Sequence, residues 1–479
     1  MLGVQLAELL DGPPPGVGEA LDLVTGFDDA LVHGFARLGE ERAATLTALA
    51  GVFAATPLGG RIGEAAEKVA AGSISGEHLT ALAGGRAALF GAVHDALLDG
   101  LDTALGRARA PWEAPSARAV SVADAADNLL GGCRSWLHEL AITGWRGVDH
   151  DLVSASVQAI EALLAVPALR RLAVLLDGLA AELRASCPVG TMERLPARRW
   201  ADLWARAVLL SQDGGLPGAC EPVSTVSGRL LVLGVDVHEH GTAVQVQVHG
   251  ILEPLGGLPS RLVRTSVAAT KVDTIVGPAL WRLLRGFPVL LGALAERRSL
   301  DVTDLPLLDS GDLVWHEDRA RAGDPSDPFA TARVQLAGAL APPVPPLDRH
   351  PVRIAEPVLV EGYTVESRPA AVEGAPAALT LDLGGNALTI DVDRLPTCGP
   401  LTPELVAASS ACLGLMRWDA GRWTLQPLAV QATVKRKAVA VHNGDWAMGP
   451  TDPKVVKAEA KAGDAVAVLR ERAGRLLRR

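Results

Sequence analysis

A chain of 479 residues, 49% hydrophobic and 21% charged, is too long for one ordinary core and too apolar to be disordered. Its net charge of −10 disfavours general nucleic-acid binding by the whole chain, because phosphate contacts need clustered positive charge. No apolar run approaches the roughly 18–20 residues that cross a bilayer. Glu8 and Asp11 stand where a secretion signal would be basic, and the five cysteines are scattered without a CxxC pair. A reduced, soluble, cytoplasmic protein is expected. With only seven Lys, three Asn and one Tyr, the composition is that of a GC-rich bacterial genome.

The first ~110 residues read as helices. Phe27, Leu31, Phe35, Leu38, Leu46, Leu49 and Phe53 recur at spacings near three and four, which predicts one apolar stripe on a long helix. A second helix follows Gly59 and Gly60, and Ser75 is placed to cap a third carrying Leu79, Leu82, Leu89, Val93, Leu97 and Leu101. After a linker at 111–115, helices are expected from Val122, from Leu152 to Val166, from Pro167 to Ala185 and from Ala197 to Gln212. No repeat of fixed period is visible.

The periodicity changes at Asp213. Strands are expected at Arg229–Val237 and Thr242–Leu252, where Val244, Val246 and Val248 alternate with Gln245, Gln247 and His249. A third follows at Leu262–Ala269, then two short helices near 274–284 and 289–297, then strands near Leu313–His316 and Ala332–Leu336. Beyond the stiff APPVPP run at 341–346, strands are predicted at 358–365, 378–383 and 387–392. A helix is predicted from Pro403 to Leu415, a hairpin around Asp419–Gly421, and a strand over Val430–Val441. From Asp452 the chain reads as a charged helix, with eight basic and three acidic residues over 454–479, expected to dock on the acidic N-terminal half.

The fold class is therefore α+β and multidomain. It comprises an all-α half at 1–212 with a sub-boundary near 111–121, a strand-rich α+β half at 223–450 with a sub-boundary at 341–347, and a basic C-terminal helix at 451–479.

Chemical motifs are scarce. No Lys follows a Gly, which excludes the phosphate-cradling P-loop. HExxH and zinc-spaced cysteines are absent, and Gly72–Gly76 has Ile where a nucleophile elbow needs Ser. His238, His240 and His249 gather on a predicted hairpin and are candidates for a metal triad, against a reading as turn histidines. His94-Asp95 and His150-Asp151 have the dipeptide of metal-dependent phosphohydrolases, against a reading as helix-surface or capping residues. Trp136, Trp145, Trp200 and Trp204 are candidates for a protein interface, against a reading as core.

The segments SWLHELAITGWRGVDHDLV (135–153) and LPARRWADLWARAVLL (195–210) resemble uncharacterised bacterial proteins found with MoxR-type AAA+ ATPases and von Willebrand A-domain proteins. The resemblance covers about a tenth of the chain. It implies an accessory subunit whose partners are an AAA+ ATPase and a von Willebrand A-domain protein. The leading expectation is a non-enzymatic scaffold or adaptor with no cofactor. The alternatives are a metal-dependent hydrolase on the helical half, and a small-molecule or nucleic-acid-binding module in the strand-rich half.

Overall fold

The computed structural model describes residues 1–113, 124–212, 224–368, 378–434 and 437–462. Its first region is helical from residue 3 to residue 210. Five helices, α1 (Gly3–Leu10), α2 (Val17–His33), α3 (Glu40–Val52), α4 (Gly59–Ala70) and α5 (Gly76–Leu105), precede the break near 111–121, whose residues 114–123 lie outside the described chain. Five follow it: α6 (Asp124–Thr143), α7 (His150–Ser154), α8 (Val157–Leu164), α9 (Arg170–Ser186) and α10 (Ala197–Leu210). Ser75 caps α5 as its position predicts, its hydroxyl accepting from the His78 N–H at 3.2 Å.

The single long helix expected over Phe27–Phe53 is two. Gly34, at φ +84°, ends α2, and a 3-10 turn at Phe35–Arg37 leads to α3. The stripe survives because Phe27, Leu31, Phe35, Leu46 and Leu49 all reach one core from both helices. The same device recurs 110 positions on, where Gly144, at φ +73°, ends α6 and Trp145–Gly147 forms a second 3-10 turn. The contacts are reciprocal: α2 packs on the second turn and α6 on the first. The region is thus two helical units crossing at their glycines, a relation without a short sequence period.

At this crossing a Cβ on Gly144 would lie 2.2 Å from the Gly34 nitrogen, and one on Gly34 would lie 2.4 Å from the Ile142 carbonyl oxygen. Backbone cannot yield as a side chain can. Gly144→Ala should destabilise the protein by about 2–5 kcal/mol, combining left-handed strain with overpacking. Gly131→Ala, on the same helix with nothing within 4 Å of its Cβ, should be neutral or slightly stabilising. Denaturant midpoints for the two variants give the comparison, and equal midpoints would mean the crossing is not so close.

The second region is α+β with two sheets. The first comprises β1 (Ser224–Glu239), β2 (Ala243–Pro254), β3 (Arg261–Thr270), β4 (Arg298–Leu307), β5 (Asp312–Leu313) and β6 (Ala320–Pro325). Helices α11 (Leu280–Leu283) and α12 (Pro288–Glu296) lie between β3 and β4. The order is β1-β2-β3-β5-β4-β6, and β1, 16 residues long, also pairs with β4. Five strands therefore close into a ring, with β3 parallel to β5 and the other ring pairings antiparallel. Val235, Val246, Val248, Val263 and Leu300 share a core with Trp281 and Leu291 from the helices.

The second sheet comprises β7 (Ala355–Glu361), β8 (Thr364–Arg368), β9 (Ala378–Leu383), β10 (Asn386–Ile390), β11 (Ser409–Asp419), β12 (Arg422–Val434) and β13 (Lys437–His442). Its order is β7-β11-β12-β10-β9-β8, with β13 beside β12 and β10 parallel to β12. Taking β7 and β8 as one strand bent at Gly362, φ +74°, the connectivity of the first ring recurs. Helix α14 (Pro403–Ala407) again lies between the third strand and the fourth. The two sheets meet outer face to outer face. Leu231, Leu233 and Ile251 oppose Ala411, Leu413 and Ala429, with Phe329 and Ala332 of α13 (Pro328–Gln335) in the same cluster.

Several expectations are corrected. The strand expected at Ala332–Leu336 is α13, started by Asp327, whose carboxylate accepts from the Phe329 N–H. The helix expected from Pro403 to Leu415 ends at Ala407. Residues 411–418 are buried on both faces of β11, so their unbroken apolar run mimics a helix. The strand expected over 430–441 is the end of β12 plus β13, with 435–436 outside the described chain. The described part of the tail, helix α15 (Pro453–Ala462), meets α11 through Glu459 and Arg282 at 2.9 Å, and residues 463–479, the rest of the segment expected on the N-terminal half, lie outside the described chain. Residues 213–223, where the main boundary was read, also lie outside it. The helical core runs on without interruption into apolar residues of the second sheet, among them Leu381, Met416 and Leu425.

Candidate functional site

Polar side chains converge at one end of the interface between the sheets. A bulge between Val232 and Gly234 shifts the register of β1, leaving Asp236 on the face that looks toward β11 and β12. Asp236 is 3% exposed. One of its oxygens accepts from the Arg417 guanidinium at 2.8 Å and lies 3.1 Å from His238 Nε2, while the other accepts from the Gln426 amide at 2.7 Å. The Arg417 Nε in turn donates to the Gln426 carbonyl. Burial pushes the Asp236 carboxyl up, but the His238 bond and charge, the Arg417 charge and the Gln426 bond outweigh it. The carboxyl is held well below the ordinary range.

His249, on the neighbouring strand, is 1% exposed, and its Nε2 has no hydrogen-bond partner. Burial, reinforced by the Arg264 charge, pushes its pKa down to about 3, so the ring is neutral. Arg264 itself forms a two-pronged pair with Asp312 at 2.9 and 3.1 Å. A buried carboxylate orienting a half-exposed imidazole, as Asp236 does His238, is the arrangement that positions a general base. Among the described residues no Ser or Cys side chain hydrogen-bonds His238 to act as a nucleophile beside it. Of the three candidate ligands, His238 and His249 flank Asp236 in the strand register. His240 lies in the exposed turn with its Nδ1 3.1 Å from the Thr242 hydroxyl. Among the described residues no three His, Cys, Asp or Glu gather as a metal-binding group.

The His-Asp dipeptides sit on separate helices. His94, on α5, is buried, its Nδ1 2.9 Å from Asp95, whose other oxygen accepts from Arg349 at 2.9 Å. His150 and Asp151 open α7 and are solvent-facing beside Asp149, the capping residue. The four tryptophans are core. Trp145, Trp200 and Trp204 are at most 1% exposed and Trp136 is 7% exposed, so they present little surface to a partner. Trp145 meets Trp200 edge-on at 5.8 Å, and the indoles of Trp136 and Trp204 donate to the Leu152 and Leu137 carbonyls.

Two further charged clusters went unread in the sequence. Arg107 and Arg109, just past α5, both reach Glu356 at the start of β7, at 2.9 and 3.2 Å. Arg109 also clamps Asp102 with two bonds of 2.7 and 3.1 Å. The second cluster surrounds residues 348–353, which follow the proline run. Asp348 accepts from Arg171 of α9, Arg206 of α10 and Arg353 at 3.1, 3.2 and 3.3 Å, all on one oxygen. His350 stacks on Phe90 with ring centres 4.2 Å apart. Burial, helped by the Arg86, Arg353 and Arg206 charges, overrides Asp202 and pushes its pKa down to about 4. A local signal existed in the charged run Asp348-Arg349-His350, but its partners lie far away in sequence. No family model, curated protein or solved structure matches this chain.

Proposed function

We propose that the protein is a non-enzymatic scaffold or adaptor subunit of a bacterial multi-protein system. The partners implied by the resemblance of 135–153 and 195–210 are a MoxR-type AAA+ ATPase and a von Willebrand A-domain protein. The supporting observation is the use of the buried and half-buried charges. Asp236, Glu356 and Asp348 each bind arginine from a distant part of the fold, so these groups join helical units and sheets into one body. A framework tied in this way suits a subunit that presents fixed surfaces. The test is co-expression with a MoxR-type ATPase and a von Willebrand A-domain protein from the same cell. Co-elution at fixed stoichiometry is expected, and separate elution of all three would overturn the reading.

A second reading rests on strand order. A five-stranded ring with this connectivity is that of the OB barrel, which binds oligonucleotides or oligosaccharides on the outer face of its second and third strands. In the first ring one end of that face, at Ile251 and Leu262, is covered by the second sheet and α13. The open end presents Gln245, Gln247 and Ser266, with one cation beside them, Arg264, already held by Asp312. Neutral polar ligands suit it better than phosphate chains. Fold analogy alone does not establish function. Saturable binding of a neutral oligosaccharide that changes little with salt would favour this reading over the scaffold.

A further inference from the structure

The arginines around Asp348 are in excess. Arg171, Arg206 and Arg353 share one oxygen of Asp348. Arg206 also lies 3.6 Å from Asp202, and Arg86 bridges Asp202 at 3.7 Å and Asp28 at 2.7 Å. Arg198 approaches Asp28 at 3.9 Å. Five guanidinium charges thus face three carboxylates, and His350, 3.8 Å from Asp202, is held neutral by its burial. The excess is two positive charges, and Arg198 and Arg353 are the half-exposed members, with side chains 45% and 49% exposed.

Three further observations point to an anion site. Arg206 is 9% exposed and its Nε has no hydrogen-bond partner. Arg171 is the second residue of the 17-residue helix α9, whose N-terminus adds partial positive charge. The side chains of Arg171 and Arg353 are 19% and 49% exposed, so the cluster opens to solvent on their side. Because Arg171 and Arg353 both reach the same oxygen, their ends lie no farther apart than two hydrogen bonds laid end to end. One tetrahedral oxyanion can bridge such a gap.

We propose that Arg171, Arg206 and Arg353 form a binding site for a small tetrahedral oxyanion of the phosphate class, with Asp348 as an internal carboxylate competing for the same guanidiniums. Asp348 keeps the arginines ordered when the anion is absent and limits its affinity when present. The site lies where α9 and α10 meet the 348–353 segment, so an occupied site strengthens the seam between the two regions of the fold.

The experiment is thermal melting of the full chain titrated with inorganic phosphate against sodium chloride at matched ionic strength. Phosphate should raise the melting temperature saturably beyond chloride. Arg353→Gln, at the most exposed of the three arginines, should weaken the phosphate midpoint about tenfold, and Arg321→Gln, on solvent-facing β6, should leave it unchanged. Asp348→Asn should lower stability without phosphate yet tighten the phosphate midpoint about tenfold, a gain that a purely structural ion pair would not produce. Identical phosphate and chloride melts in both the wild type and Asp348→Asn would overturn the proposal. So would a phosphate response that Arg353→Gln leaves intact.

Discussion

Arg417→Met is expected to lower the stability of the whole protein by about 3–5 kcal/mol, the cost of taking the guanidinium from a buried carboxylate that keeps only His238 and Gln426. Asp236 has little solvent to turn to, being 3% exposed, and Gln426 supplies one neutral donor in place of a charge. Gln426 would also lose the Arg417 bond that orients it. The double variant Arg417→Met with Asp236→Leu should recover part of the loss, because two apolar groups of fair size can replace a buried pair. Urea unfolding of the wild type and both variants measures this. If Arg417→Met alone unfolds at the wild-type midpoint, the sheets are not joined through this pair.

Acidification should destabilise the protein steeply between pH 6.5 and pH 4. His249 is held down to about 3, and His350 and His442 to about 4, against an ordinary 6.5. Burial is the main cause in each case. The folded state therefore keeps these rings neutral while the unfolded chain binds protons below pH 6.5. Their contribution is fully present above 6.5 and is lost as the pH falls toward the folded values. Each histidine adds a slope of about 1.4 kcal/mol per pH unit, so three give about 4 in the middle of the window. Set against a total stability of about 5–15 kcal/mol, that brings unfolding within reach before pH 4. Asp236 does not contribute here: its folded pKa is depressed, so its share is lost only below the unfolded carboxylate value of about 3.9. Melting temperatures should stay level from pH 7.5 to about 6.5 and fall from there to 4.5, and His249→Leu should remove about a third of the slope. A flat melting temperature between pH 7 and pH 5 would show that these histidines are hydrated.

The legible features share a short physical range. The Ser75 cap acts over three residues, and the alternation of Val244, Val246 and Val248 shows directly in β2, whose inward face they line. The hairpin turn at Asp419–Gly421 was legible from its Asp and Gly; Gly421 takes positive φ freely, and Ala420 takes it too, against the preference of a residue with a Cβ. Errors arose where tertiary packing overrode local pattern. β11 is buried on both faces and lost its alternation. Gly34 sits inside an apolar stripe that continues across it, so the break between α2 and α3 was hidden. β4 and β6 went unread because their solvent-facing residues interrupt the apolar pattern.

The candidate sites show the same division more sharply. Histidine pairs and tryptophans stood out as residue types, yet the tryptophans became core and the His-Asp pairs were set on different helices. The groups that do converge were individually ordinary. Arg417 reaches Asp236 across 181 positions, Arg107 reaches Glu356 across 249, and Arg206 reaches Asp348 across 142. By itself the amino-acid sequence determined the helical first region, the strand-rich second, most element positions and the exclusion of a P-loop, because propensity, capping and periodicity act within a few residues. Only the tertiary structure decided the crossing of the two helical units at Gly34 and Gly144, the closure of strands into rings and the arginine-carboxylate joints. Those depend on which distant segments are brought within hydrogen-bond reach once their apolar faces are buried together.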